Sequence, residues 1–209
     1  MSIPRGLIVS CQVEGGSRFT VGDMTSFAVE AVRGGCVGVR VRGCQSVSDV
    51  KRSVDVPVIG LSKGVYDDGS VWITPSFEDA MDLWDSGSDY IAIDATGRSG
   101  YNHIRELYKQ GIQLIGDISN LDQAKTAIDS GCCSLTTALS GYTKDCVLSD
   151  EPDYDLLEKL VSTGVPILAE GRYWERSQIK RAFDLGAHAV VVGSAITRPH
   201  LITERLSVI

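Results

Sequence analysis

The chain has 209 residues, and its 27 acidic and 20 basic side chains give a net charge of −7. Hydrophobic residues make up 43% of it and charged residues 22%, which is typical of a globular protein with a substantial core and excludes a disordered chain. The acidic balance disfavours a nucleic-acid-binding protein. No apolar run approaches the roughly 20 residues of a membrane helix. We therefore expect a single domain over residues 1–209 that binds neither nucleic acid nor a membrane.

The cysteines and histidines indicate a reduced protein without a metal site. The six cysteines form no CxxC pair, and several lie in apolar runs, where a free thiol packs as a small hydrophobic group. The residues before the first strand lack the hydrophobic stretch of a signal peptide. The histidines at 103, 188 and 200 are scattered and do not have ligand spacing. These features predict a cytoplasmic protein.

Eight short apolar runs recur along the chain and predict strands. They are Gly6–Cys11, Val37–Val41, Val58–Leu61, Tyr90–Asp94, Gln113–Asp117, Ser134–Thr137, Pro166–Ala169 and Ala189–Val192. The segments between them have helical spacing, and this alternation favours a parallel sheet covered by helices. Eight strands in about 200 residues fit a small (β/α)8 TIM barrel better than an open doubly wound sheet. The final helix, predicted from Pro199 to Leu206, is short and would leave one face of the barrel for a partner chain.

Polar residues follow most of these strands, at the end of a TIM barrel where catalytic groups lie. Any one of them could be a solvated loop residue, but so many strand ends are hard to explain by packing. In chain order they are Gln12, Arg40, Arg42, Lys63, Asp94, Arg98, Asp117, Thr136, Thr137, Glu170, Arg172, Gly193, Ser194 and Arg198.

The last two predicted strands both stop at a glycine. One continues as Glu170-Gly171-Arg172 and the other as Gly193-Ser194, with Arg198 shortly after. Glycine allows backbone N–H groups to approach an oxyanion, and a following helix adds a favourable dipole. A single glycine would more simply tighten a strand-to-helix turn. The pair favours a phosphate site, which TIM barrels often carry after the last two strands.

Lys63 and Glu170 are the candidates for proton transfer. Lys63 follows a buried run and precedes a glycine, so we expect it in the barrel mouth, where it could act as a base or form a Schiff base. The commoner fate of a lysine is the protein surface. Glu170 ends a buried strand, where its carboxylate would orient another group, exchange protons, or form a structural ion pair with Arg172.

A set of motifs runs almost from end to end of the chain: Gly6–Gln12, Ile59-Gly60 with Lys63, Val71–Pro75, Ile91–Thr96, Asp117–Ser119, Leu139–Thr143, Ala169–Arg172 and Val192–Pro199. In these motifs the chain resembles the N-acetylmannosamine-6-phosphate 2-epimerase family. Three stretches depart from the family pattern: the loop after Gln12, Arg42-Gly43 in place of an Ala-Asn-Gly run, and the short loop after Thr96.

The resemblance implies a TIM-barrel enzyme of amino-sugar and sialic-acid breakdown that inverts C2 of N-acetylmannosamine 6-phosphate, without a cofactor and as a homodimer. It assigns the transfer of the C2 proton to Lys63, assisted by Glu170. It assigns sugar binding to Gln12, Arg40, Asp117 and Arg198, and phosphate binding to backbone groups of Gly171, Arg172, Gly193 and Ser194.

Two other readings of the same residues stay open. Lys63 would form a Schiff base in a class I aldolase of phosphorylated keto acids, which is also a small barrel. A catalytically silent sugar-phosphate-binding barrel would keep the phosphate site alone. The presence of both Lys63 and Glu170 argues against the silent barrel, because binding alone requires no base.

Overall fold

The computed structural model describes residues 3–13, 15–143, 146 and 149–207. The strands are β1 Gly6–Cys11, β2 Gly38–Arg42, β3 Val58–Leu61, β4 Lys63–Val65, β5 Val71–Ile73, β6 Tyr90–Asp94, β7 Leu114–Asp117, β8 Ser134–Thr136, β9 Ile167–Glu170 and β10 Ala189–Val192. The helices are α1 Val21–Arg33, α2 Cys44–Lys51, α3 Phe77–Asp85, α4 Asn102–Lys109, α5 Leu121–Ser130, α6 Tyr154–Val161, α7 Arg176–Asp184, α8 Ser194–Thr197 and α9 Pro199–Leu206.

Eight of the strands form a closed parallel barrel in the order β1-β10-β9-β8-β7-β6-β3-β2. Closure is made by β1, which pairs with β10 through Val9 and Val192 and with β2 through Ser10 and Arg40. The predicted TIM barrel is confirmed, and each predicted barrel strand lies within a residue or two of an observed one.

Side chains of the barrel strands alternate between two packed layers, as the pleat requires. One layer fills the barrel, and its members include Ile8, Ile59, Leu61, Tyr90, Ala92, Ile115, Leu168, Ala189 and Val191. The other, larger layer lies between strands and helices. At the carboxyl ends of the strands, the positions that point into the barrel are polar instead of apolar. They are Ser10, Arg40, Asp94, Asp117, Thr136 and Glu170. The barrel is therefore plugged by apolar groups below and carries a polar layer above.

A two-stranded hairpin was not predicted from the sequence; it forms a sheet separate from the barrel ladder, and its Ile73 is buried in the core that fills the barrel. Its strands β4 and β5 are antiparallel, with Lys63 opposite Ile73 and Gly64 opposite Trp72. A Cβ on Gly64 would lie 2.1 Å from Cζ2 of Trp72, so the indole ring packs directly on the glycine backbone. Lys63, which we expected in the barrel mouth after the third barrel strand, is the first residue of this hairpin.

The chain ends in two short helices after β10. The predicted last helix is confirmed as α9, and none of its described side chains is buried. Among the described residues, no helix is both long and apolar enough to cross a membrane.

Candidate active site

A cavity of about 430 Å³ opens at the carboxyl end of the barrel. Its lining includes nine of the ten residues that the sequence proposed for the site: Gln12, Arg40, Lys63, Glu170, Gly171, Arg172, Gly193, Ser194 and Arg198. They come from both ends of the sequence, and closure of β1 onto β10 brings them together. Asp117, the tenth, does not line the cavity.

Arg40 lies between two carboxylates at the floor of the cavity. Its Nη1 and Nη2 donate to Oδ1 and Oδ2 of Asp117 at 3.2 and 2.5 Å. Its Nη1 also lies 2.9 Å from Oε2 of Glu170, although this contact does not meet hydrogen-bond geometry. Asp117 is completely buried and Arg40 is 1% exposed. Asp117 therefore holds the guanidinium from below, and this position suits a support for Arg40 better than a direct sugar contact.

Burial makes the Glu170 carboxyl easier to protonate than an exposed glutamate, and the neighbouring charges modify this effect. Burial raises its pKa, the Arg40 and Lys63 cations lower it, Asp117 raises it, and the result is about 7. Burial likewise raises the pKa of Asp117 against the lowering effect of Arg40. Oε2 of Glu170 is buried and makes no hydrogen bond within the described residues. Glu170 is thus suited to exchange a proton near neutral pH.

We expect the rate to fall in acid because Glu170 protonates as the pH drops through about 7. An ionised Glu170 can accept a proton during the reaction, whereas a protonated Glu170 cannot. A profile of kcat/KM should therefore fall by about tenfold per pH unit below this point. In the Glu170→Gln variant, this decrease of kcat/KM below pH 7 should disappear. Only the weaker pH dependence that comes from a phosphorylated substrate, whose second pKa is about 6, should remain. A limb near 7 that persists in the variant would contradict the assignment.

The titration of Glu170 also makes the free energy of unfolding depend on pH. An unfolded glutamate has a pKa of about 4.3, so the folded chain binds the additional proton between that pH and about 7. The contribution of Glu170 to stability is present at the acidic side of this window and is lost as the pH rises through it.

Lys63 lies at the edge of the cavity, where the hairpin starts. It lines the same cavity as Glu170, and its charge lowers the pKa of that carboxyl. The backbone beside it is fixed by two bonds of 3.0 Å, from Ser62 N to Thr74 Oγ1 and from Thr74 N to Ser62 O. Thr74 has a φ of 43°, which is an unusual conformation for a β-branched residue. The base of the hairpin is therefore held in one conformation at some cost in backbone energy.

Gln12 presents an acceptor to the cavity from the end of β1. Its Nε2 donates to Oγ of Ser10 at 2.6 Å. Its Oε1 is buried and makes no hydrogen bond within the described residues. This leaves an oriented carbonyl oxygen, which can accept a bond from a sugar hydroxyl or amide.

The turn after β9 passes through two successive residues with positive φ, Gly171 at 105° and Arg172 at 64°. The Arg172 side chain turns away into the β8–α6 connection, where Nη1 donates to Ser140 O at 2.9 Å and Nε to Glu151 O at 2.8 Å. The ion pair considered between Arg172 and Glu170 is absent from the described contacts, and Glu170 faces Arg40 instead. Arg172 is thus left with its backbone for contact with a ligand.

The turn after β10 brings α8 to the cavity. Gly193 precedes the first residue of this helix, Ser194, and no side chain caps it. Oγ1 of Thr197 donates to Ser10 O at 3.1 Å, which ties α8 to β1. A Cβ on Gly193 would come within 3.3 Å of Cβ of Ser10, so a bare backbone suits this position.

Sequence reasoning missed the aromatic and apolar part of the lining. Tyr142, Tyr173 and Trp174 line the cavity, together with Leu139 and Leu201. Leu201 lies in α9 and the other four lie in connections rather than at strand ends, so the strand-end argument could not select them. The Leu139–Thr143 motif, noted only for the resemblance, was the available signal for Tyr142.

Comparison with known proteins assigns the chain to a family. The model of the family described as "Putative N-acetylmannosamine-6-phosphate epimerase" matches residues 24–208. A Clostridioides difficile protein named "Putative N-acetylmannosamine-6-phosphate 2-epimerase" is 40% identical, and the match covers 95% of this chain and 93% of that protein. A protein of the same name from Caldanaerobacter subterraneus is 39% identical, with 97% and 90% covered.

The chain belongs to the N-acetylmannosamine-6-phosphate epimerase family. The solved structure of the N-acetylmannosamine-6-phosphate 2-epimerase from Clostridium perfringens superimposes with a TM-score of 0.91 at 34% identity, covering 98% of this chain and 93% of that one. The resemblance predicted from the motifs is confirmed.

In this member of the epimerase family, two of the stretches that depart from the family pattern lie outside the cavity. Arg42 does not line the cavity but lies behind the hairpin. The loop after Gln12 is described except for residue 14, and its residues Gly15–Phe19 line a second cavity of about 630 Å³ next to α9.

Proposed function

We propose that this chain interconverts N-acetylmannosamine 6-phosphate and N-acetylglucosamine 6-phosphate in the cytoplasm, as a step of amino-sugar and sialic-acid breakdown. The observation that carries the proposal is the convergence of Lys63 and Glu170 with two glycine turns in one cavity, in a chain of the epimerase family. The turns suit a phosphate, and the amine and carboxyl suit proton transfer.

The substrate must first present its open-chain aldehyde, because only then is the C2 proton acidic. The Lys63 amine removes this proton, and the C2–H electron pair moves into an enolate whose charge lies on O1. Donors in the dry floor of the cavity, above all Arg40, stabilise that charge, an effect typically worth several kcal/mol. Return of the proton to the opposite face of C2 gives the epimer, with Lys63 and Glu170 exchanging the proton between them.

The phosphate would be held by backbone N–H groups at Gly171, Arg172, Gly193 and Ser194, with Arg198 nearby. The support is the positive-φ turn after β9 and the start of α8, both in the cavity wall. Gln12 and Arg40 would contact the sugar, and Asp117 would act through Arg40.

Removing the phosphate from the substrate should cost most of the activity. Four backbone donors and a guanidinium would lose their partner, so we expect kcat/KM for N-acetylmannosamine to be lower by on the order of 10³-fold. Parallel initial-rate measurements on the two sugars test this. A decrease in kcat/KM of less than about tenfold would contradict the proposed phosphate site.

Proton NMR in D2O tests the reaction itself. N-Acetylmannosamine 6-phosphate should yield N-acetylglucosamine 6-phosphate with deuterium at C2. Borohydride added with substrate should leave no adduct on Lys63, whereas a trapped adduct would favour the aldolase alternative. Saturable binding with neither product nor exchange would favour a silent binding protein.

We also propose that the chain forms a homodimer through the face that carries α9. None of the described side chains of this helix is buried, and Leu206 is 80% exposed. Covering such a surface would remove apolar area from water. Sedimentation equilibrium at micromolar concentration measures the state directly, and a monomer there would refute the proposal.

A further inference from the structure

Arg42 makes two backbone contacts that join separate parts of the site. It ends β2, two residues after Arg40. Its Nη2 donates to the carbonyl oxygen of Lys63 at 2.9 Å, and its Nη1 donates to the carbonyl oxygen of Val13 at 3.2 Å. Val13 directly follows Gln12, so one guanidinium connects the hairpin of the proposed base with the loop of a proposed sugar ligand.

The hairpin depends on such contacts for its position. The barrel ladder ends at Leu61, just before Lys63, and β4 then pairs with β5 in a separate sheet, whose Ile73 is buried in the barrel core. The tip of the hairpin is held at the β6–α4 connection, where Tyr66 OH lies 3.3 Å from Ser99 Oγ and Arg98 stacks over the Tyr66 ring at 5.3 Å. At the base, the Ser62–Thr74 pair joins the two sides of the hairpin to each other. Arg42 joins that base to the barrel.

We propose that Arg42 is a positioning residue that fixes the backbone of Lys63 against the barrel and so aims the amine at C2. The inference rests on the proposed role of Lys63. A lysine side chain is long and flexible, so the place of its amine depends on a fixed backbone origin. A displacement of about 1 Å in a reacting group can cost on the order of 10²-fold in rate.

The choice of arginine follows from its shape. The guanidinium is a rigid planar fork and can donate to two carbonyl oxygens at a fixed separation, whereas the single ammonium of a lysine is a point donor. Arg42→Gln removes both the charge and the fork, and Arg42→Lys removes only the fork. Arg5 provides a matched control, because its Nη1 also donates to a backbone carbonyl, that of Ala187 at 3.3 Å, just before β10 and far from the cavity.

The experiment measures turnover per binding site. Calorimetric titration with N-acetylmannosaminitol 6-phosphate, which has no aldehyde and cannot react, counts intact sites and gives an affinity. For Arg42→Gln we expect turnover per site to fall about 10- to 100-fold while the affinity for the alcohol changes less than about threefold. Arg42→Lys should fall below the wild-type rate as well, and Arg5→Gln should keep it.

Three results would overturn the inference: an unchanged rate in Arg42→Gln, a loss explained by fewer titratable sites, or a full rate in Arg42→Lys. Lys63→Ala is measured alongside for C2–H exchange in D2O. Exchange that persists in Lys63→Ala means that the proposed base is wrong. An inactive Lys63→Ala with a normal Arg42→Gln refutes only the positioning role.

Discussion

Replacing Lys63 by alanine should abolish C2–H exchange and lower turnover by on the order of 10³-fold, the range seen when a general base is removed. The amine lines the cavity and its charge acts on Glu170, and no second lysine lines the described cavity. Proton NMR in D2O reads both exchange and product in one sample. The contacts proposed for the phosphate do not involve Lys63, so the affinity for N-acetylmannosaminitol 6-phosphate should stay close to that of the wild-type chain.

Lys180→Ala is a suitable control for that variant. Lys180 lies on α7 and pairs with Asp184 at 2.6 Å, with 74% of its side chain exposed. Its replacement should change neither exchange nor product formation. Undiminished exchange in Lys63→Ala would refute the assignment of the base, and loss of binding together with turnover would indicate a disturbed cavity instead.

The barrel and most of its mouth were predictable from sequence because both follow local rules. Strands buried on both faces are apolar throughout, so the eight runs stand out from the amphipathic helices between them. Catalytic groups of such barrels lie at strand ends, so listing the polar residue after each strand selected Arg40, Lys63 and Glu170 together. The two turns proposed for the phosphate were predictable because each contains a glycine directly after a strand.

The partners of these residues could not be predicted because they depend on the closed barrel. The resemblance implied sugar binding by Asp117, but the register places its side chain under Arg40 with no exposure. Arg172 sits beside Glu170 in sequence, yet its side chain reaches back to the carbonyls of Ser140 and Glu151. The hairpin was missed because strands of three residues carry too little periodicity to be recognised.

Replacing Arg40 by methionine should destabilise the fold by about 3–5 kcal/mol, because a buried carboxylate loses its partner. Asp117 is fully buried and accepts two hydrogen bonds from the Arg40 guanidinium, whereas Glu170 keeps Lys63 as a neighbouring cation. Urea unfolding followed by circular dichroism measures the difference in free energy. Turnover should be lost as well, since Arg40 lines the cavity.

The double variant Arg40→Met/Asp117→Leu separates the two effects. It removes both members of the buried pair, and such replacements are often close to neutral for stability. We therefore expect the free energy of unfolding to recover in the double variant while turnover does not. If the free energy of unfolding of Arg40→Met lies within about 1 kcal/mol of the wild-type value, the charge of Asp117 is neutralised in another way.

The pH dependence of the Arg40→Met variant has a definite sign. Loss of the Arg40 charge removes the main influence that lowers the pKa values of Asp117 and Glu170, so both rise further in the folded state. The folded variant then binds more protons than the unfolded chain, whose carboxyls titrate near 4. Its stability should fall as the pH rises from about 4 through the raised values, and the deficit relative to wild type should be larger at pH 8 than at pH 5. An equal deficit at both pH values would mean that the guanidinium does not act on these carboxylates through its charge.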